Sequence, residues 1–287
     1  MGPRTGPGLV PDSFRPTDRS ATLRCLIKPH GSLSKVEPPT EPMTKPLTLH
    51  CCGLTAVFSR ADAFSSWVFE RQQGRGLYEE FATETFLEHV KPHTCVLDVG
   101  ANIGWYSVWA SIKSPGATIH AFEIDPDNCR RFRINANLNR CRNVRLWQTA
   151  VGDSSSPLCY DPQGARSPLE YRVRPLGHPS GRRVSCTTLD SWCLENSVRP
   201  ELIKVDVEGF EYAVLQGMQG IIRDLKPTLL LEYHRKTDDS ADNGLEVIRR
   251  IMEPLGYSMC ELSKNSIRTI VPARAGSVAA NSMLLFR

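Results

Sequence analysis

The sequence predicts an α/β fold: a doubly wound, mostly parallel seven-stranded sheet with a C-terminal antiparallel hairpin. Three observations carry this. From Cys95 onward, short apolar runs alternate with segments of helical spacing. The runs are apolar at successive positions, as expected of strands buried on both faces and covered by helices on either side. The last two runs, YSMCEL and SMLLFR, are too close for a helical crossover, so they should pair antiparallel.

Residues 1–47 come first and stand apart. Nine of the 21 prolines fall there, with seven Lys/Arg against four Asp/Glu. Such a segment sustains neither helix nor ladder, so it reads as a disordered basic tail. A second reading starts the protein at Met43. Residues 48–94 read as an N-terminal helical segment: in LYEEFATETFLEHV the apolar Leu77, Phe81, Phe86, Leu87 and Val90 share roughly one face, and Pro92 ends the pattern.

Residues 95–287 form the third region. CVLDVG (95–100) is the first strand of the alternation, with a helix from Trp105 to Ile112. ATIHAFEID (117–125) is the second, followed by a helix after Pro126. VRLWQTAV (144–151) is the third and ELIKVDV (201–207) the fourth. The next helix, GFEYAVLQGMQGIIRDLK, carries Phe210, Val214, Met218, Ile221 and Leu225 on one stripe. TLLLEYH (228–234) is the fifth strand, LEVIRRIMEPLG a helix, and the closing pair follows. Residues 154–186 break the rhythm with five prolines and five arginines against two acidic residues. They form either a loosely ordered, solvated hairpin or part of an acceptor-binding lid, and the sequence favours the former.

Composition narrows the function. The 28 basic and 27 acidic side chains of residues 48–287 nearly cancel, which argues against nucleic acid as a partner. No apolar run reaches the roughly 18 residues of a membrane span. Ten cysteines include the vicinal pair Cys51–Cys52 but no C-x2-C and no zinc-like spacing. They read as core-filling thiols of a reducing compartment, and an N-terminus without an apolar signal core agrees with a cytoplasmic location.

The chemistry concentrates at strand ends. VLDVGANIGWYS (96–107) sends a strand into Gly100, Asn102 and Gly104 and then a helix. Glycines there let a ligand approach backbone N–H groups at a helix start. The spacing differs from the G-x-G-x-x-G of dinucleotide sites, which disfavours a nicotinamide-dependent oxidoreductase. Glu123 ends the second strand, where a carboxylate can accept both hydroxyl protons of a ribose. Asp98 either faces a ligand or braces the turn by accepting backbone N–H bonds.

LDVGANIGWYS, AFEIDP, AVGD, TTLDSW, LIKVDVEGFEYAVLQGM and LLLEYH occur in an order that resembles the FkbM-type methyltransferases, over about residues 76–287. The resemblance implies a Rossmann-like class I enzyme that uses S-adenosylmethionine and methylates hydroxyl oxygens of small molecules, sugars or natural products. It implies that Asp98, Gly100, Asn102 and Gly104 line the methionine side of the cofactor. Glu123 would hold its ribose, and Ala150, Val151 and Asp153 would lie along its adenine edge.

The fourth strand ends in KVDVEGFE, so Asp206 and Glu208 adjoin the ligand crevice, and Glu232 and His234 end the neighbouring strand. Methylating an alcohol needs a proton acceptor close to the oxygen. Glu208 or His234 is the expected base, with Glu232 and Asp206 as orienting groups. Alternatively, Glu208 and Glu211 simply offset a helix dipole. Carboxylates plus histidine could hold Mg²⁺ and paired acceptor oxygens, but the spacing demands no metal and none is assigned. DVEG stands where N/D-P-P-Y/F would have suggested a nitrogen acceptor, which favours oxygen. Arg166, Arg172, Arg174, Arg182 and Arg183 hint weakly at an anionic acceptor. A non-catalytic domain that keeps this fold and binds partners through its tail is the remaining alternative.

Overall fold

The structure, a computed structural model, describes residues 45–60, 77, 79–161, 172–174, 181–234, 244–263, 266–269 and 282–287. The expected tail lies outside the described residues up to position 44, as does the alternative start at Met43.

The described chain opens with a β-hairpin, β1 (Leu47–Cys51) and β2 (Leu54–Phe58), where a helical segment was expected. The reason is local. LTLHC and LTAVF alternate with period two, and between them Cys52 and Gly53 both take positive φ (49° and 74°), as a two-residue hairpin turn requires. Among the described residues the first helix is α1 (Glu80–His89), which buries Phe86 and Leu87.

The alternation follows: β3 (Cys95–Val99), α2 (Trp105–Lys113), β4 (Thr118–Phe122), α3 (Pro126–Leu138) and β5 (Val144–Trp147). Phe58 of the hairpin stacks on Trp105, with ring centroids 5.0 Å apart. Asn135 and Asn139, four apart on one face of α3, hold the edge of β2: their Oδ1 atoms accept from Ser59 N at 2.9 Å and Val57 N at 2.8 Å.

The third expected strand is split. β6 (Ala150–Val151) leaves the main sheet and pairs in parallel with β10 (Cys186–Thr187). Between them, β7 (Leu158–Asp161), β8 (Arg172–Arg174) and β9 (Arg182–Val184) form a small antiparallel sheet of order β8-β7-β9. The interruption expected to be a loosely ordered, solvated hairpin therefore packs a core, in which Tyr160 and Val184 are buried with Ala150 and Cys186. Arg166 lies outside the described residues.

α4 (Leu189–Asn196) leads to β11 (Leu202–Val205), and the long helix expected next is two, α5 (Glu211–Gln216) and α6 (Gln219–Leu225). Gly217 ends the first, packed so tightly that a Cβ would lie 1.9 Å from the Gly152 carbonyl oxygen. Asp190 starts the second by accepting from Gly220 N and Ile221 N, both at 2.8 Å. β12 (Thr228–Tyr233), α7 (Gly244–Met252), β13 (Met259–Ser263), β14 (Ser266–Thr269) and β15 (Ser282–Phe286) complete the described elements.

The main sheet has the order β14-β13-β15-β12-β11-β3-β4-β5. The five strands from β12 to β5 are parallel, and β15 runs antiparallel between β12 and β13, as the closing pair was expected to do. Seven strands match those expected. The eighth, β14, is an edge strand whose SIRT sequence has no apolar run to announce it. One hydrophobic core, around Trp105, Trp109 and Phe132, and a second, around Trp192, Val214 and Met218, cover opposite faces. The strand order reverses between β3 and β11, so their C-terminal ends open a crevice.

Candidate active site

The turn after β3 forms the floor of that crevice. Gly100, Asn102 and Gly104 all have positive φ (78°, 50° and 86°). The N–H groups of Gly100 and Ala101 both donate to the Phe122 carbonyl at 3.0 and 2.9 Å, which ties the turn to β4. A Cβ on Gly100 would lie 1.7 Å from the Asp206 carbonyl oxygen, and one on Gly104 2.8 Å from the Phe132 ring. Both glycines are therefore demanded by the chain packing on itself, a reason that the ligand-approach argument omitted. Gly104 lies away from the cleft lining. So does Asp98, whose Oδ2 accepts from Ser107 N at 3.1 Å and Ser107 Oγ at 2.5 Å and so braces the first turn of α2. Burial pushes the Asp98 carboxyl above its usual range, against the pull of Lys204.

Above the turn opens a cleft whose cavity volume is about 80 Å³. Gly100, Asn102 and Glu123, which follow β3 and β4, line one part of it, Ala150 and Val151 of β6 another, and Asp206, Glu208 and Phe210, which follow β11, a third. Glu123 is only 4% exposed. Its Oε2 accepts from Asn102 N at 2.7 Å and its Oε1 from Asp125 N at 2.8 Å. Burial pushes its pKa up to about 7 against those hydrogen bonds. Asn102 Oδ1 is buried with no hydrogen-bond partner among the described residues. Asp153 is not in the lining.

The small sheet supplies the remaining wall through Leu158, Tyr160 and Val184. It docks on Asp125, the N-cap of α3: Tyr160 Oη donates to Asp125 Oδ2 at 3.3 Å, and Arg182 lies 3.5 Å from the same oxygen. These wall residues were missed from sequence. The short run LCYD was their one signal, hidden by the surrounding prolines and arginines. Arg182 is spent on Asp125, and Arg183 is exposed.

At the far end, the expected convergence of Asp206, Glu208, Glu232 and His234 is present. His234 Nδ1 lies 2.9 Å from Glu211 Oε1, and its Nε2 lies 3.3 Å from Glu208 Oε2 and 3.5 Å from Glu232 Oε1. The buried Lys204 places its Nζ 2.7 Å from Asp206 Oδ2 and 4.6 Å from the centre of the Tyr106 ring. Burial works against the Asp206 charge, but Lys204 and then His234 overcome it and hold the carboxyl below its usual range. Burial, then the Asp206 charge, lifts Glu232 well above its own. Burial pulls His234 down, yet the Glu211 hydrogen bond and the Glu208 charge lift it to about 10. Both ring nitrogens of His234 face carboxylates, and of the two residues expected as base Glu208 is the one that lines the cleft. Lys204 was overlooked because a single lysine in the strand LIKV looks like an edge residue.

The family model of the methyltransferase FkbM domain matches residues 98–259, more than half of the chain. The chain belongs to this family. It is an S-adenosylmethionine-dependent methyltransferase. The hexuronic acid methyltransferase AglP of Haloferax volcanii is 25% identical over 201 residues, 69% of this chain and 79% of that protein. Methyltransferase 1 of Beauveria bassiana is 27% identical over 184 residues, 57% and 72% of the two chains. The 31-O-demethyl-FK506 methyltransferase FkbM of Streptomyces tacrolimicus is 40% identical over 83 residues, 28% of this chain and 32% of that one. The crystal structure of the methyltransferase FkbM from Methylobacillus flagellatus KT is 16% identical with a TM-score of 0.44, covering 80% and 64%. Among the described residues no helix is long and apolar enough to cross a membrane.

Proposed function

We propose that this chain moves the methyl group of S-adenosylmethionine to a hydroxyl oxygen of a sugar or other small molecule, with Glu208 as proton acceptor. The observation that carries this is one cleft lined both by the buried Glu123 and by Glu208. The donor end suits the nucleoside: Asn102 Oδ1 is a buried acceptor without a donor among the described residues, and Glu123 is an acceptor held in place by two backbone N–H groups. Glu123 would take the ribose hydroxyls, while Ala150 and Val151 would flank the adenine. Asp98 acts from behind the turn, as a positioning residue.

The donor, when bound, supplies an electrophilic methyl group on a sulfonium. The protein's share is alignment and a place for the proton. As the new C–O bond forms and the S–C bond breaks, the hydroxyl proton passes to Glu208, which borders the cleft; His234 stands behind it as a fixed partner. The named substrates of the relatives, a hexuronic acid and a demethylated FK506, support a hydroxyl-bearing acceptor rather than nucleic acid. The free thiols among the described residues support a cytoplasmic setting. The test is calorimetric binding of S-adenosylhomocysteine. Glu123→Ala should weaken it by about tenfold or more, the loss of a charge-assisted pair of hydrogen bonds. Unchanged affinity would sink the assignment of the donor end.

A further inference from the structure

Asp206, Glu232 and His234 each present one ligand atom, and the three atoms lie within 4.8 Å of one another beside the cleft. Two of these residues carry oxygen and one nitrogen, on the ends of adjacent strands β11 and β12. Three features of their surroundings call for a cation among them.

The first is the setting of the imidazole. Nδ1 of His234 is held by Glu211, whose side chain is only 4% exposed. A buried carboxylate on one ring nitrogen fixes the ring and its tautomer, and turns the other nitrogen outward as a ligand. The second is what that other nitrogen meets. Nε2 faces Glu208 Oε2 at 3.3 Å and Glu232 Oε1 at 3.5 Å. Lone pairs facing one another at this range need positive charge between them, either a proton on Nε2 or a metal ion. The third is the charge count. Glu208, Glu211 and Glu232 meet His234, while Asp206 bonds Lys204, the permanent cation among these contacts, through a single oxygen. Side-chain exposures of 20% for Asp206, 17% for Glu232 and 14% for His234 leave a route for a hydrated ion.

We propose that Asp206, Glu232 and His234 bind one divalent cation of the Mn²⁺ class at the acceptor end of the cleft, with Glu211 as the positioning residue for His234. Mixed carboxylate and imidazole ligands suit a first-row ion, and three protein ligands leave open positions for water or substrate oxygen. The consequence for substrate rests on the methyl-transfer reading above. An ion there would select acceptors with two neighbouring oxygens, such as a vicinal diol, and would make the reacting hydroxyl easier to deprotonate by Glu208.

The experiment strips the full-length chain with EDTA, titrates Mn²⁺ followed by electron paramagnetic resonance, and measures S-adenosylhomocysteine binding on the same sample. The expected result is one Mn²⁺ per chain with a nitrogen coupling in the pulsed spectrum. His234→Gln should abolish that coupling. Glu232→Gln and Glu211→Gln should each weaken Mn²⁺ by about tenfold, the latter with the nitrogen coupling kept and the nucleoside affinity unchanged. A chain that binds S-adenosylhomocysteine but no Mn²⁺ would overturn the metal site and show that a proton alone occupies it. Mn²⁺ bound without nitrogen coupling, or equally tightly in the variants, would overturn it too. Failure of nucleoside binding alone would instead count against the methyl-donor reading.

Discussion

At the donor end of the cleft, position is set by backbone. The turn is tied to β4 by two N–H groups, and both oxygens of Glu123 are clasped by backbone donors. At the acceptor end, position is set by side chains: Glu208, Glu211, Glu232, His234, Asp206 and Lys204 hold one another. A site made of backbone is inseparable from the fold, whereas a site made of side chains can be altered while the fold stands. The two ends should therefore fail differently when broken.

The largest effect belongs to Gly100→Ala at the donor end. The new Cβ would meet a backbone carbonyl at 1.7 Å from a residue at φ 78°, and neither strand can retreat without breaking its ladder. The loss should be on the order of 4 kcal/mol, read as a lowered denaturation midpoint. A soluble, fully stable variant would show that the donor end is less rigid than described. Next comes Glu208→Gln at the acceptor end, which keeps shape and removes the base. Turnover should fall by about 10²–10⁴-fold, with melting temperature and S-adenosylhomocysteine affinity unchanged. If binding or stability fell along with turnover, the contrast between the two ends would collapse.

The same contrast decides what could be read from sequence. The parallel strands were legible because buried apolar runs such as TLLLEY leave few alternatives, and Glu123 was legible because a strand-end acid in register with a glycine turn has a fixed place. The hairpin at β1–β2 was not: its alternation is short, and its Cys-Gly turn lacks the Asn or Asp that usually announces one. The wall from Tyr160 and Val184 was hidden because short strands amid prolines bury these residues against Ala150, Cys186 and Asp125, partners distant in sequence or outside any apolar run. The acceptor cluster was legible in membership but not in role. Spacing places His234 beside Glu208; only geometry shows that its ring is enclosed by carboxylates on both sides.

The smallest effect separates the ends by pH. Burial lifts Glu123 to about 7 in the folded chain from an ordinary 4.5. In that window the folded state holds a proton that the unfolded state has released. The contribution of Glu123 to stability is thus fully present below about pH 4.5 and is lost as pH rises through 7. Ligand binding has the opposite sign, because ribose hydroxyls donate to the carboxylate and require its charged form. S-adenosylhomocysteine should bind about tenfold more tightly at pH 8 than at pH 6, releasing a proton at the lower pH. Calorimetry in two buffers of different ionisation enthalpy measures that proton. Glu123→Gln, which carries no titrating group, should bind weakly with no such slope and should melt with less dependence on pH between 4.5 and 7. A wild-type affinity flat across pH 6–8 would mean that the buried carboxylate is already charged before the ligand arrives.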